Sequence, residues 1–258
     1  MKKLAPRAFN RHIYDDHPEN VFYGTDDGAQ DGSFSEYPRF REHYQNVSSQ
    51  RRENIHMMSV VGGLYGLNLI PLWQPKQLTI FDVNPTAITY FNIVHHVFTT
   101  SRDAEHFLTR FSKGDYDADT EREQFVKENI RLKQQDNLPR SRGSCKRSYE
   151  ESWKIALENF ELTKQILTNV PIEIRTEPME SKSFSEYIRQ QQNLWIYCSN
   201  ITQFQFFELD FTDPSNVVLL QIIHPCKPQL LDLEPLSGGP VKVNFEIPIR
   251  AESIGERR

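Results

Sequence analysis

The chain has 258 residues, a net charge of −5 at pH 7 and a pI near 5.9, which speaks against bulk affinity for nucleic acid. That length suits one large domain with a buried core, or one domain carrying a sizeable insertion. Hydrophobic residues make up 38% and mean hydropathy is −0.62, so exposed helices or loops are expected around the core, and no apolar run approaches a membrane span.

The lysines near Met1 precede no signal-peptide hydrophobic region, and the expectation is a soluble, cytoplasmic protein. Cys145, Cys198 and Cys226 form no CxxC or metal-ligand pattern, so reduced thiols and no metal site are expected. Residues 1–50 read as an N-terminal arm or lid, rich in aromatic and charged residues. Tyr37, Phe40, Arg41 and Tyr44 recur at three- and four-residue intervals and predict one face of a helix.

The organising stretch is Met57 to Asn84. Met57, Met58, Val60 and Val61 read as a buried parallel strand running into Gly62-Gly63, with Tyr65 and Gly66 next. Leu67 to Trp73 predicts a short helix, and Leu78 to Phe81 a second buried strand ending in Asp82-Val83-Asn84. Glycines after one strand let a ligand approach the backbone, and an acid at the tip of the next accepts both hydroxyls of a ribose. The same residues also suit a tight turn and a helix start, with Asn84 as N-cap and Pro85 in the first helical position.

The helix after Asn84 buries Ala87, Tyr90, Phe91, Val94 and Phe98, while the adjacent His95 and His96 diverge too far to share one metal. Residues 101–170 carry polar helical patterns and interrupt the strand rhythm, as a helical insertion placed where substrate caps occur. Ile172 to Arg175 is a third strand, and a helix from Ser183 to Gln192 starts with a capping box closed by Glu186. Leu194 to Cys198 is the fourth strand, followed by Ser199-Asn200. Ile201 to Leu209 can be helical, and Val217 to Ile223 is a β-branched fifth strand. Val241 to Ile247 alternates as a half-exposed antiparallel strand, and 251–258 reads as a polar tail.

Together these elements predict an α/β, Rossmann-like doubly wound sheet over residues 51–250, mostly parallel with an antiparallel C-terminal strand. That layout resembles the class I S-adenosylmethionine-dependent methyltransferase fold. The resemblance implies that Gly62, Gly63 and Gly66, with Tyr65 among them, cradle the amino-acid end of S-adenosylmethionine. It implies Asp82, flanked by Val83 and Asn84, for the ribose, and Glu177 or Met179 for the adenine. Ser199 and Asn200 would face the sulfonium as the catalytic pair.

The loop VVGGLYG departs from the family by lacking an acid ahead of the glycines and the GxG pair, and no Asp/Asn-Pro-Pro-aromatic motif follows the fourth strand. Ser199-Asn200 is similar to the Ser-Asn of enzymes that move the 3-amino-3-carboxypropyl arm, such as betaine-lipid synthases, and azetidine-carboxylate-forming cyclases break the same bond. A Ser-Asn also simply caps helices. The expected function is methyl or aminocarboxypropyl transfer to, or cyclisation within, a small molecule. The alternatives are an NAD(P)-dependent oxidoreductase, for which the first glycine of GxGxxG is missing, and a non-catalytic scaffold.

Overall fold

In a computed structural model of the chain, the described residues are 37–61, 64–134, 149–179, 181–199, 208–212, 214, 217–223, 227–234, 239–244 and 250–253. The chain enters through α1 (Tyr37–Asn46) and α2 (Ser49–Arg52) and continues into β1 (His56–Val60). A 3-10 helix (Tyr65–Leu69) and α3 (Ile70–Trp73) lead to β2 (Gln77–Phe81). The long helix α4 (Pro85–Thr100) follows, then α5 (Ala104–Lys113), α6 (Glu121–Gln134), α7 (Tyr149–Ser152), α8 (Lys154–Glu158) and α9 (Phe160–Asn169). After them come β3 (Ile172–Arg175), α10 (Lys182–Gln190), β4 (Leu194–Ser199), β5 (Glu208–Phe211), β6 (Val218–Ile223), β7 (Lys227–Asp232), β8 (Val241–Asn244) and β9 (Arg250–Ser253).

Among these residues, six strands form one sheet in the order β3-β2-β1-β4-β6-β7, parallel except for the β6–β7 pair. This is the α/β, Rossmann-like sheet expected from the alternating strand and helix signals. Strands β1, β2 and β4 are buried on both faces because helices cover both, the condition that removes period-2 alternation from a parallel strand. On one face Met58, Thr79 and Glu173 align across β1, β2 and β3 and meet α10, whose Phe184 stacks edge-on against Phe81 at 5.4 Å. On the other face Trp195 of β4 meets Trp73 at 5.3 Å and Tyr44 at 5.8 Å.

The antiparallel edge differs from the expectation. The strand that closes the main sheet is β7, in a hairpin with β6. Val241 to Asn244 pairs instead with β5 and β9 in a second, three-stranded antiparallel sheet, where Val241 and Val243 are buried. The predicted helix over Ile201 to Leu209 is corrected at its described end, where Glu208 to Phe211 is strand β5; residues 201–207 lie outside the described residues. The polar tail is likewise strand at residues 251–253. For β5 the pairing partner, β8, is remote in sequence, so local propensity could not report it, whereas β7 and β9 pair with the strand just before them, β6 and β8.

The stretch 101–170 is helical in its described parts, but these helices join the layer beside the sheet rather than standing off as a cap. Phe98 of α4 stacks on Phe160 at 4.5 Å and meets Phe107 at 4.7 Å, and Trp153, fully buried, packs against Phe107, Phe111 and Tyr149. The Ala156 N–H donates to Asn68 Oδ1 at 3.1 Å, which ties α8 to the 3-10 helix behind β1.

At the opposite edge α1 carries Phe40 into the core, with Tyr37 and Tyr44 partly buried beside it and Arg41 exposed. Arg51 is 4% exposed, and its guanidinium donates to both carboxylate oxygens of Asp232 at 2.9 and 2.7 Å and to Glu234 at 2.7 Å. His43 adds a contact to Asp232 at 3.0 Å. These groups hold Asp232 well below the usual carboxylate range. Asp232 pairs with Val218 at the start of β6, so this clamp closes the end of the sheet at which the parallel strands begin.

Candidate functional site

The strand order reverses direction between β1 and β4: the chain builds outward from β1 through β2 to β3, then returns to β4 on the other side of β1. In open α/β sheets, ligands bind beyond the C-terminal ends of the strands at such a reversal, here the crevice between β1 and β4. Asp82, Val83 and Asn84 leave β2 next to this crevice. Gly62, Gly63 and Asn200 lie outside the described residues. Ser199 is the last residue of β4, with its backbone paired to Gln221.

Backbone hydrogen bonds tie the strand ends together. Val61 donates to Phe81 O at 3.3 Å, and Asp82 donates to Arg175 O at 3.1 Å. In the turn after β1, Leu64 adopts a left-handed conformation with φ 62° and ψ 28° and donates to Val61 O at 2.7 Å. A leucine there costs about 1 kcal/mol or more in local backbone energy, and such positions gather at ligand clamps and switches. On β4 the register against β6 shifts between Tyr197 and Ser199, leaving Cys198 as the extra residue. Bulges of this kind re-aim the end of a strand and are frequent beside active sites. Cys198 is a free thiol, fully buried, and burial pushes it up to about 12.

At the tip of β2 a short network sets the geometry. Asp82 is half-buried, and its Oδ1 accepts from the Asn84 N–H at 2.9 Å. Asn84 Oδ1 accepts from the Thr86 N–H at 2.9 Å and caps α4, with Pro85 following in the first helical position. The helix-start reading of this stretch therefore holds. Asn84 is 8% exposed, and its Nδ2 has no hydrogen-bond partner among the described residues. Val83, between them, is 38% exposed, one of few large apolar side chains so placed among the described residues.

Four of the expected ligand contacts have other work. Gly66 is buried, and a Cβ there would run into Ser59 Oγ and stand 3.2 Å from Ser59 Cβ; its missing side chain lets the 3-10 helix lie close on β1. Tyr65 is 1% exposed and packs on Tyr197 at 5.4 Å, with burial raising its phenol. Met179 is buried in the core. Glu177 is half-buried and engaged: Arg175 Nε donates to its Oε1 at 2.6 Å, and Nη2 makes a second, very short contact to the same oxygen.

Arg175 is the centre of a cluster that the motif reading passed over. Besides Glu177 it binds Glu173 Oε1 at 2.7 Å and lies 3.9 Å from the Tyr187 ring centroid. The Tyr187 OH donates to Glu173 Oε2 at 2.8 Å and contacts Thr79 Oγ1 at 2.8 Å, which in turn meets buried His56 Nε2 at 2.7 Å. Burial lowers the His56 imidazole to about 4, against the opposing pull of Glu173, and raises the Tyr187 phenol to about 12. The signal in the sequence was Glu173, Arg175 and Glu177 at alternate positions, which lie on one side of an extended chain.

His95 and His96 occupy different surroundings, His95 against Leu167 O at 3.0 Å and His96 exposed. No group of three or more potential metal ligands occurs among the described residues, and no helix among them is long and apolar enough to cross a membrane. A pocket of about 200 Å³ lies between α10 and β5, lined by Ile188, Gln191, Leu194, Phe211 and Val217. It sits at the N-terminal ends of β4 and β6, away from the switch point. No protein-family model matches the chain, and no curated protein matches it in sequence.

Proposed function

We propose that this chain is an S-adenosylmethionine-dependent transferase that uses the crevice between β1 and β4 and acts on a small molecule in the cytoplasm. The observation that carries this reading is the carboxylate of Asp82, half-buried at the tip of β2, beside the topological switch point and one strand from the glycine-containing turn. Asp82 accepts from the ribose hydroxyls of the nucleoside. Val83 offers an apolar surface to the base. To Ser199 and Asn200, at and after the end of β4, we assign the orientation of the substrate by hydrogen bonds from hydroxyl and amide groups.

When bound, S-adenosylmethionine supplies the electrophilic carbon, either the methyl group or the γ-carbon of the aminocarboxypropyl arm. The protein's share is orientation, which supplies about 7–11 kcal/mol of a barrier when reacting atoms are held in line. The test is incubation with S-adenosylmethionine alone and mass spectrometry of the nucleoside product. Methylthioadenosine above the uncatalysed background assigns attack at the γ-carbon. S-adenosylhomocysteine, alone or after a candidate acceptor is added, assigns methyl transfer. Neither product, with no binding, removes the proposal.

A second reading, a non-catalytic scaffold, is favoured by the structural work already done by Glu177 and Gly66. It predicts that no nucleoside cofactor raises the melting temperature. A tight complex with NAD and none with S-adenosylmethionine would instead establish an oxidoreductase.

A further inference from the structure

Among the described residues the main sheet ends in β3 on one side and β7 on the other. β7 carries Pro228 and is met by Arg51, which makes it a poor template for another strand. β3 lacks both devices. The Leu78 N–H donates to Pro171 O at 3.0 Å and the Asp82 N–H to Arg175 O at 3.1 Å, so residues 171, 173 and 175 turn their backbone groups toward β2. Those of Ile172 and Ile174 turn outward, and no hydrogen bond from them occurs among the described residues. Ile174 is also 41% exposed, the most exposed of the large apolar side chains among those residues.

Charged side chains on an edge ordinarily keep a second strand away. In Glu173-Ile174-Arg175 their order does the reverse for one partner, an antiparallel copy of the same strand. With a twofold axis through Ile174, Glu173 lies opposite the partner's Arg175 and Arg175 opposite the partner's Glu173, and opposite charges directly across an antiparallel pair attract. Both side chains remain partly exposed despite their contact with each other. The outward groups of the two Ile174 residues then face one another in the hydrogen-bonded arrangement, exchanging both N–H···O bonds with Cα atoms about 5.5 Å apart. The two isoleucine side chains cover each other on the face away from α10. That helix stands over β2 and β3, where Phe184 meets Phe81 and Tyr187 meets Glu173, so strand spacing brings its two copies to about 10 Å, an ordinary distance for packed helices.

We propose that β3 is a self-association surface: two copies of the chain pair antiparallel about Ile174, with Glu173 against Arg175 on either side, and the main sheet runs on through both copies. A strand pair this short lies at the low end of specific interfaces, below about 1,200 Å², so the dimer is reversible and depends on concentration. The inference stands apart from the S-adenosylmethionine reading and does not need it.

The experiment is sedimentation equilibrium of the full chain at up to about 1 mM, with amide hydrogen exchange over residues 172–176 followed by mass spectrometry at low and high concentration. The variants are Ile174→Lys and Ile174→Pro. The lysine reaches solvent in the monomer but sets two ammonium groups against each other on the axis of the dimer. The proline removes an N–H that β2 does not use, at a position where edge strands tolerate it. The wild type should show a monomer–dimer equilibrium, and exchange over 172–176 should slow as concentration rises. Both variants should melt near the wild type when dilute and associate at least about tenfold more weakly. A wild type that stays monomeric, a dimer without slower exchange in this segment, or a dimer that Ile174→Lys weakens less than tenfold would each overturn the proposal. If Ile174→Pro fails to fold, the wild-type exchange and Ile174→Lys decide.

Discussion

At the residue scale, one glycine and one histidine carry consequences that can be measured. Gly66 is filled from the strand side, so Gly66→Ala forces Ser59 to move and should cost about 1–3 kcal/mol, read as a lower urea midpoint. Adding Ser59→Gly to Gly66→Ala should recover part of that loss, and purely additive costs would show that the two do not share the space. His56 is 3% exposed and held neutral, with its proton affinity lowered from 6.5 to about 4. The unfolded chain takes up that proton below pH 6.5 while the folded chain does not, so stability falls as pH drops from about 6.5 to 4. The contribution reaches about 3 kcal/mol at the acid end. His56→Gln should flatten this slope when urea midpoints are compared at pH 7 and 4.5; an unchanged slope would assign it to other groups. The sequence displayed Glu173, Arg175 and Glu177 on one side of a strand. It could not show that Thr79 and Tyr187 link them to His56, because that contact depends on the register of β1, β2 and β3.

At the element scale, caps and pairings explain where the reading of the chain was accurate and where it slipped. Asn84 and Pro85 were legible because an N-cap is a local event. The cap of α10 lies two residues earlier than the capping-box pattern suggested: Ser181 Oγ accepts from Phe184 N at 3.1 Å, Ser183 only contacts Ser181, and Glu186 pairs with Lys182. Two serines within three residues offered equivalent signals, and the packing of Phe184 and Ile188 decided between them. The clamp of α2 on β7 is the element contact most open to test. Asp232→Ala leaves Arg51 buried with only Glu234 for a carboxylate partner and should cost about 2–4 kcal/mol, more than Arg51→Met, which replaces the cation with an apolar chain. Thermal melts of the two variants check the order. Because Asp232 is held in its ionised form, the clamp contributes fully above about pH 4 and is lost as pH falls below that. This window lies under that of His56.

At the scale of the whole molecule, the parallel sheet and its covering helices were legible because continuous apolar runs separated by helical periods permit few other arrangements. The three-stranded sheet was not, since β5, β8 and β9 bring together residues 208–211, 241–244 and 250–253. The candidate crevice was legible as a place, from the glycine turn and the acid after the next strand. Its contents were not, because whether a side chain packs or faces a ligand depends on burial: Tyr65, Gly66 and Met179 went inward, and Val83 stayed out.

The bond from Arg51 to Asp232 joins positions 181 residues apart, so it closes a very long loop of chain. Its formation must wait until β1, β4 and β6 have been laid side by side, and it rewards folding only after most of the entropy of ordering has been spent. The clamp therefore acts as a latch on the finished molecule. Arg51→Met should leave the refolding rate nearly unchanged in stopped-flow kinetics and appear almost wholly as faster unfolding. What the latch confers is time in the folded state.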